Sequence, residues 1–513
     1  MIGLLRLLWL SISMITQLRC FCVCDEVLAA PSPQHQNAVR SQRDLMNDVT
    51  IDQLPLVGVN LSSALFNEES KNDTQSLAAF QSLLQNGVQA FSLDLEERSS
   101  TWMVRQTNIQ LSNFLTSLQS YINTTDDNLS ANILVLLLKI SSGGNSNTNQ
   151  TARPVPYFNA TTPSMNITNI VDQNLGRQRI YTPDDLLNDK AAGLTFNISG
   201  QPNSGWPRLQ SFLYSSRRRV LIAELTNKLD SQVPYIFNSS ILFFDEKNKS
   251  LNSPNSTEDY TRLTQIAWRF LDSQFTSRDI RIHMSNGYSP LISNPYSTSN
   301  ITEITNLFNT SIIWSWANNQ PLIAQVDAET QRNELTANNC AVLKYSPSNS
   351  TAFWMVDNCY DSYEGLCRSS TETFTWLITD SRDTYFEFDS NSESKCPENY
   401  SFALPRTPLE QNSLIMHLDH LRSLTYRIWI DMNSIAVSNC WVTGGPYATC
   451  PYQKSVSRRN FVEMLTPVTV CSFVILVMVS YLNLLRIPIL SNRKSWKRIV
   501  NDVSKSEMEG VPS

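Results

Sequence analysis

No cysteine occurs between Cys24 and Cys340. The stretch from about Pro31 to Pro321 therefore has neither a disulfide framework nor a thiolate metal site, and it must hold itself together by burying a large apolar core. Charge is scarce too: 17% of the 513 residues are Asp, Glu, Lys or Arg against 41% hydrophobic, too little for a helical cytosolic protein. The net charge is -6 and no concentrated basic face occurs before the last residues, so no direct nucleic-acid partner is expected. Histidine is limited to His35, His283, His417 and His420. The last two are spaced i, i+3 but lack suitably placed cysteine partners, so neither a zinc site nor any other cofactor is expected. Arg217, Arg218 and Arg219 precede the apolar Val220–Leu225 and read as a solvated helix-to-strand joint.

The two ends of the chain carry the long apolar runs. A lone cation at Arg6 followed by Leu7 to Ile15, broken by Ser11 and Ser13, is the layout of a signal peptide covering residues 1–24. Its end lies between about Cys24 and Ala30, since Val23-Cys24 and Ala29-Ala30 both resemble processing sites. Near the other end, Met464–Leu485 holds no ionised side chain and is bracketed by Glu463 and Arg486. At helical rise such a run covers roughly 30 Å, the hydrocarbon thickness of a bilayer. Pro467 falls in the first turn of this span, where a missing amide hydrogen costs least. The signal orients the span: residues 486–513, with Arg486, Arg493, Lys494, Lys497 and Arg498, form a cytoplasmic tail, in keeping with the positive-inside rule. Lys454, Arg458 and Arg459 on the other flank weaken the charge argument, so orientation rests on the signal and on the sugar acceptors. The tail cations read first as a topology signal and second as a grip on anionic lipid.

Asn-X-Ser/Thr acceptors occur at Asn60, Asn72, Asn123, Asn128, Asn149, Asn159, Asn166, Asn197, Asn238, Asn248, Asn255, Asn300, Asn309, Asn349 and Asn399, all between signal and span. One match means little, but a field this dense that stops at the membrane predicts a glycosylated luminal or extracellular part. Six cysteines, Cys340, Cys359, Cys367, Cys396, Cys440 and Cys450, cluster in residues 330–455. In an oxidising compartment they imply three disulfides, about 2–4 kcal/mol each, although six cysteines permit 15 pairings. Trp354, Trp376, Trp429 and Trp441 in this module read first as core and second as platforms for sugar stacking.

Within residues 31–325, strand-length apolar runs alternate with amphipathic stretches: Leu54–Val59, Ser76–Leu84, Ala90–Leu95, Leu111–Tyr121 and Ile133–Ile140, then Leu209–Tyr214 and Val220–Leu225. The Asn/Ser/Thr/Pro-rich Ser142–Asn169 reads as an inserted surface loop. This alternation predicts a parallel sheet, and the length suits a (β/α) barrel, giving an α/β chain with a mixed α+β disulfide module and one transmembrane helix. Leu54-Pro-Leu-Val-Gly-Val-Asn-Leu-Ser62, Gly87-Val-Gln-Ala-Phe-Ser-Leu-Asp-Leu95, Gly205-Trp-Pro-Arg-Leu and Trp314-Ser-Trp-Ala-Asn-Asn-Gln-Pro321 resemble landmarks of phosphatidylinositol-phospholipase-C-like barrels. That resemblance implies two histidines as acid and base. Asn60 stands at the first histidine position and Met103-Val104-Arg105-Gln106 aligns loosely with the second, so no phosphodiesterase activity by that mechanism is expected. Asp94, Glu96 and Glu97 could hold a cation at a strand end but read first as structural or solvated carboxylates. Asn60 sets a conflict, a sugar acceptor where the barrel mouth should be: either it is unused or glycan blocks the mouth.

Further motifs run through the chain: Arg40-Ser-Gln-Arg-Asp-Leu-Met46, Trp354-Met-Val-Asp-Asn-Cys359, Trp429-Ile-Asp-Met-Asn-Ser434 and Asn439-Cys-Trp-Val-Thr-Gly-Gly-Pro-Tyr447. With them the chain resembles, end to end, the fungal maintenance of telomere capping protein 6 family. The resemblance implies a single-pass type I membrane glycoprotein with a genetic link to telomere capping. An exported part cannot touch chromosome ends, so the expected role is indirect: a non-catalytic binding or scaffold protein with a glycan or protein ligand and the membrane as partner. The alternatives are a metal-assisted phosphodiesterase acting on glycerophosphodiesters or phosphoinositides, and a structural cell-surface glycoprotein.

Overall fold

The computed structural model describes residues 32–66, 73–141, 166–198, 205–225, 235–246, 253–295, 301–322, 338–388, 395–421, 426–452, 458–486 and 489–508. The signal segment lies outside them. Ten strands build the first sheet: β1 (Gly58–Asn60), β2 (Ala90–Arg98), β3 (Thr101–Val104), β4 (Leu134–Ser141), β5 (Ile180–Tyr181), β6 (Val220–Glu224), β7 (Phe237–Asn238), β8 (Phe243–Asp245), β9 (Arg269–Ser273) and β10 (Ser289–Ile292). The order is β5-β6-β4-β2-β1-β10-β9-β8, parallel throughout, with β7 alongside β6 and β3 folded back on β2 as an antiparallel hairpin. Pairing of β1 with β10 joins the first and last strands, as barrel closure requires. Among the described residues no pairing joins β7 to β8, so the barrel is partial.

Side-chain alternation explains the layers. Ala90, Val135, Leu137, Leu221, Ala223, Phe270 and Leu291 form one cluster inside the sheet. The alternate residues Phe91, Leu93, Leu136, Leu138, Ile222, Leu271 and Ile292 pack outward with Phe80, Phe114 and Leu115 of helices Asp73–Gln85 and Leu111–Thr124. A strand buried on both faces reads as a continuous apolar run, which is what Ile133–Ile140 and Val220–Leu225 are. Inside, Gly58 is required by close approach: a Cβ there would meet the Leu291 side chain and lie 2.6 Å from Ala90 O and 2.7 Å from Ala90 Cβ.

Three local readings need correction. Strand β1 starts only at Gly58, because Leu56 N–H donates to Ser289 Oγ at 3.1 Å instead of to a ladder carbonyl. Arg219 is not solvated. It is 2% exposed, and its guanidinium donates to Asn132 O (2.9 Å), Thr125 O (2.8 Å) and Thr125 Oγ1 (2.9 Å), tying the start of β6 to the segment before β4. Arg218 likewise spends its donors on Arg177 O and Asp185.

The second sheet uses β11 (Cys340–Ser346), β12 (Thr351–Asp357), β13 (Glu364–Ser369), β14 (Trp376–Ile378), β15 (Tyr400–Phe402) and β16 (Tyr426–Asn433) in the order β12-β11-β16-β13-β14, with β15 on β13. Its pairs are antiparallel apart from β13 with β16. The disulfides join neighbours in sequence: Cys340–Cys359, Cys367–Cys396 and Cys440–Cys450. Trp354, Trp376, Trp429 and Trp441 are all buried, which removes them as sugar platforms. Trp376 Nε1 donates to Ser413 Oγ and Trp429 Nε1 to Asp383 O, while Trp354 and Trp441 sit edge-on to Trp316.

The described residues up to Tyr452 form one compact unit, and the Arg40–Met46 motif shows how. It lies on helix Pro33–Leu45 and plants three consecutive buried polar side chains. Ser41 Oγ accepts from Trp316 Nε1 at 2.8 Å. Gln42 accepts from Trp314 N, Ser315 N and Ser315 Oγ and donates to Ile312 O. Arg43 donates to Asn128 O, Leu129 O and Ala131 O of the barrel, to Asp44, and to Tyr452 Oη at 2.6 Å beyond the last disulfide. Ser315 and Ala317 in turn pair with Trp354 of β12. Helix Pro408–His420, capped by Thr407, carries Gln411, whose amide bridges Trp314 O and Ala352 O.

The described residues after Tyr452 are a unit of their own, with helices Arg458–Arg486 and Ile489–Met508. Leu465–Leu485 has mean hydropathy 2.3 and is long and apolar enough to cross a membrane. Pro467 is inside this helix instead of in its first turn, because the helix already begins at Arg458.

Candidate functional site at the barrel mouth

Parallel barrels place their chemistry at the carboxyl ends of the strands. Here the inward face changes character at that end. Continuing the two-residue period past the apolar layer brings Asn60 of β1, Asp94 of β2, Lys139 of β4, Glu246 after β8, Asp272 of β9 and Ser293 after β10 to the mouth. Asp272 is the hub: it accepts from Asn60 Nδ2 at 2.9 Å and from Ser293 Oγ, and its Oδ2 lies 3.4 Å from Lys139 Nζ. Lys139 Nζ also pairs with Glu246 at 2.8 Å and sits 5.3 Å from the centre of the Phe244 ring. Burial opposes the charge of Lys139, yet Glu246, Asp272 and Asp94 outweigh it and hold the ammonium above its ordinary pKa. It is a fixed cation, not a base.

Asp94 occupies the other side. Its Oδ2 is 3.7 Å from Arg105 Nη1, and its Oδ1 is buried without a hydrogen-bond partner. Burial raises the Asp94 carboxyl above its usual range, against the pull of Lys139 and Arg105. Glu96 pairs with Arg98 on the outer part of the hairpin, and Glu97 lies opposite Trp102 on β3. Asp94, Glu96 and Glu97 therefore do not converge on a cation; among the described residues no group of three or more His, Cys, Asp or Glu could hold a metal. The ammonium of Lys139 occupies the centre between Asp272 and Glu246.

Histidine lies elsewhere. His35 opens helix Pro33–Leu45, His283 is on helix Ser277–Ser285 against Phe275, and His417 and His420 are on helix Pro408–His420. Burial lowers the pKa of His35, His283 and His417. Asn60 is 5% exposed and caps the short helix Leu61–Ala64 through Ser63 N–H. Its amide nitrogen, the atom a sugar would need, points at Asp272. Asn123, Asn128, Asn255, Asn349 and Asn399 are exposed, while Asn166, Asn197, Asn238 and Asn309 are half-buried. Asn72, Asn149, Asn159, Asn248 and Asn300 lie outside the described residues.

Sequence reasoning reached Asn60 and Asp94 but not Lys139, Glu246, Asp272 or Ser293. A signal existed for two of them: Lys139 interrupts the apolar run Leu134–Ile140, and Asp272 ends the apolar pair Phe270–Leu271. At the opposite end, under β1 and β2, Val39, Leu54, Pro55, Gly87, Gln89 and Met284 help line a small hollow whose one ionisable lining residue is Arg43.

The family model described as the MTC6 partial TIM-barrel domain matches residues 29–314. A Zygosaccharomyces rouxii protein called Maintenance of telomere capping protein 6 is 48% identical over 520 residues, covering 100% of both chains. Proteins of the same name from Saccharomyces cerevisiae (45% identity, 94% of this chain and 92% of theirs) and Vanderwaltozyma polyspora (40%, 94% of each) also match. Among solved structures, a phosphatidylinositol-specific phospholipase C from Staphylococcus aureus covers 53% of this chain and 99% of its own with 10% identity. Its TM-score of 0.28 is too low to carry chemistry across.

Proposed function

This chain belongs to the maintenance of telomere capping protein 6 family, and from that premise we propose that it is a membrane-anchored, non-catalytic binding or scaffold protein. The observation that carries the reading is the ion network of the mouth. Where an acid/base pair would work, Asn60, Asp272, Lys139 and Glu246 satisfy one another, and the base position is an amide with no proton to trade. The helix holding Leu465–Leu485 supplies the anchor, with the residues before it luminal or extracellular and the tail cytoplasmic. Five exposed acceptors, Asn123, Asn128, Asn255, Asn349 and Asn399, fit a glycoprotein, whereas the buried Asn60 is an unused one. An exported barrel makes any influence on telomere capping indirect, through membrane or cell-surface homeostasis or through the tail.

One observation favours a metal-assisted phosphodiesterase instead, the Asp94 Oδ1 left without a hydrogen bond inside the mouth. The test is an assay of the purified full chain on phosphoinositides and glycerophosphodiesters with Mg²⁺, Mn²⁺ or Ca²⁺. No turnover is expected. Turnover abolished by Asp94→Ala or Glu96→Ala would replace the binding reading with the enzymatic one.

A further inference from the structure

The helix Ile489–Met508 has a use that the span alone does not explain. Trp496, Ile499, Val500 and Val503 are 63%, 50%, 59% and 53% exposed, so four apolar side chains face solvent on a helix of 20 residues. Their spacing is i, i+3, i+4, i+7, and at about 100° per residue they fall within an arc of about 100°. Lys494, Arg498 and Lys505 lie about 160–200° from Trp496, and Lys497 lies on the flank at about 100°. Asp502 is the single anion from Lys494 to Lys505. A stripe of this width, bordered and backed by cations, matches a surface that is apolar below and anionic above. The chain itself brings that surface near: the helix starts three residues after Arg486 closes the preceding one, a reach of roughly 10 Å.

We propose that Ile489–Met508 lies flat in the headgroup layer of an anionic leaflet, with Trp496, Ile499, Val500 and Val503 inserted and Lys494, Lys497, Arg498 and Lys505 on the phosphates and carboxylates of the lipids. The proposal rests on Leu465–Leu485 being the span, and its test separates the two. The full chain is placed in nanodiscs of phosphatidylcholine, with or without phosphatidylserine, and carries an environment-sensitive label either on the free Cys471 or on Val503→Cys in a Cys471→Ser background. Lipids with a spin label near the headgroup and others with one deep in the acyl chain serve as quenchers. The Cys471 label is expected to be quenched by the deep probe in both discs. The Val503 label is expected to be quenched by the shallow probe in the phosphatidylserine discs, and Lys494→Gln/Lys497→Gln/Arg498→Gln/Lys505→Gln to abolish this. A quenched Cys471 label with an unquenched Val503 label overturns the proposal and leaves the span standing. A Val503 label shielded from lipid by a second copy also overturns it. An unquenched Cys471 label removes the span, and this proposal with it.

Discussion

Between Gly58 and Ile292 the strands run parallel apart from the β2–β3 hairpin, lie between apolar layers on both faces and carry no covalent cross-link, whereas Cys340 to Tyr452 folds as a mixed sheet held by three disulfides. A parallel sheet needs both faces covered, and the helices that connect its strands provide the second layer. Among the described residues the module has one α-helix, Pro408–His420, for six strands, and exposed residues such as Lys344 and Arg427 interrupt its surface. Less burial is offset by cross-links. The two regions are nevertheless not independent: Leu343, Trp354, Trp376 and Leu414 share one apolar cluster with Phe80, Phe114 and Ile292 of the barrel.

The two regions differ most in their tolerance of added atoms. Gly58→Val pushes a branched side chain against backbone at Ala90, and the expected outcome is a chain that does not reach its folded state. Gly365→Ala in the module meets the buried ring of Phe388, a side chain and not backbone, and its single methyl is expected to cost about 1–3 kcal/mol in urea unfolding. Equal costs at the two sites would contradict the contrast.

Cross-link removal comes next. Cys367→Ser/Cys396→Ser opens a closed loop of 29 residues and Cys440→Ser/Cys450→Ser one of 10. Chain entropy predicts losses of about 3.6 and about 2.7 kcal/mol respectively, read as unfolding midpoints of the purified chain. Arg43→Ala follows at about 3 kcal/mol, because it removes the counter-ion of the largely buried Asp44 and the donor to the buried Ala131 carbonyl. Tyr452→Phe is expected to cost about 1 kcal/mol. If the barrel and the module unfold in one transition in wild type and in two in Arg43→Ala, that residue is the tie between them.

The smallest effect is on pH. Burial pushes the Asp431 carboxyl up to about 6, against its donors Gly445 N–H and Gly444 N–H and the charge of Arg368. In the unfolded chain it ionises near about 3.9, so the folded state keeps its proton longer and stability from this group falls as pH rises from about 4 to about 6. Glu410 has the opposite sign. Burial raises its pKa, but Arg406 and Arg368 win and hold the carboxyl below its ordinary value. Its contribution is present above about 4.3 and lost as pH falls through the depressed folded value. Acidifying from about pH 7 to about pH 5 is therefore expected to shift the unfolding midpoint of wild type upward relative to that of Asp431→Asn, while the lowered pKa values of His35, His283 and His417 pull both midpoints down alike.

Sequence pattern was sufficient for helices Asp73–Gln85 and Leu111–Thr124 and for β2, β4 and β6, because each repeats a single period over a full element. It was insufficient where long-range partners decide. The short strands β7, β8 and β10 have too few residues to show a period. Arg219 looked solvated because its three acceptors, at Asn132 and Thr125, are about 90 positions away in the chain. The mouth was legible only at Asn60 and Asp94, which lie in recognisable segments. Asp272 and Glu246 are ordinary acidic residues until the barrel brings them to Lys139.

Digesting sealed microsomes with protease tests the central claim, that the barrel and its module are anchored on the far side of a membrane by Leu465–Leu485. The account predicts that an epitope placed after Ser513 is lost while residues 33–452 stay intact and still shift in mass on deglycosylation. Degradation of that unit without detergent would contradict it.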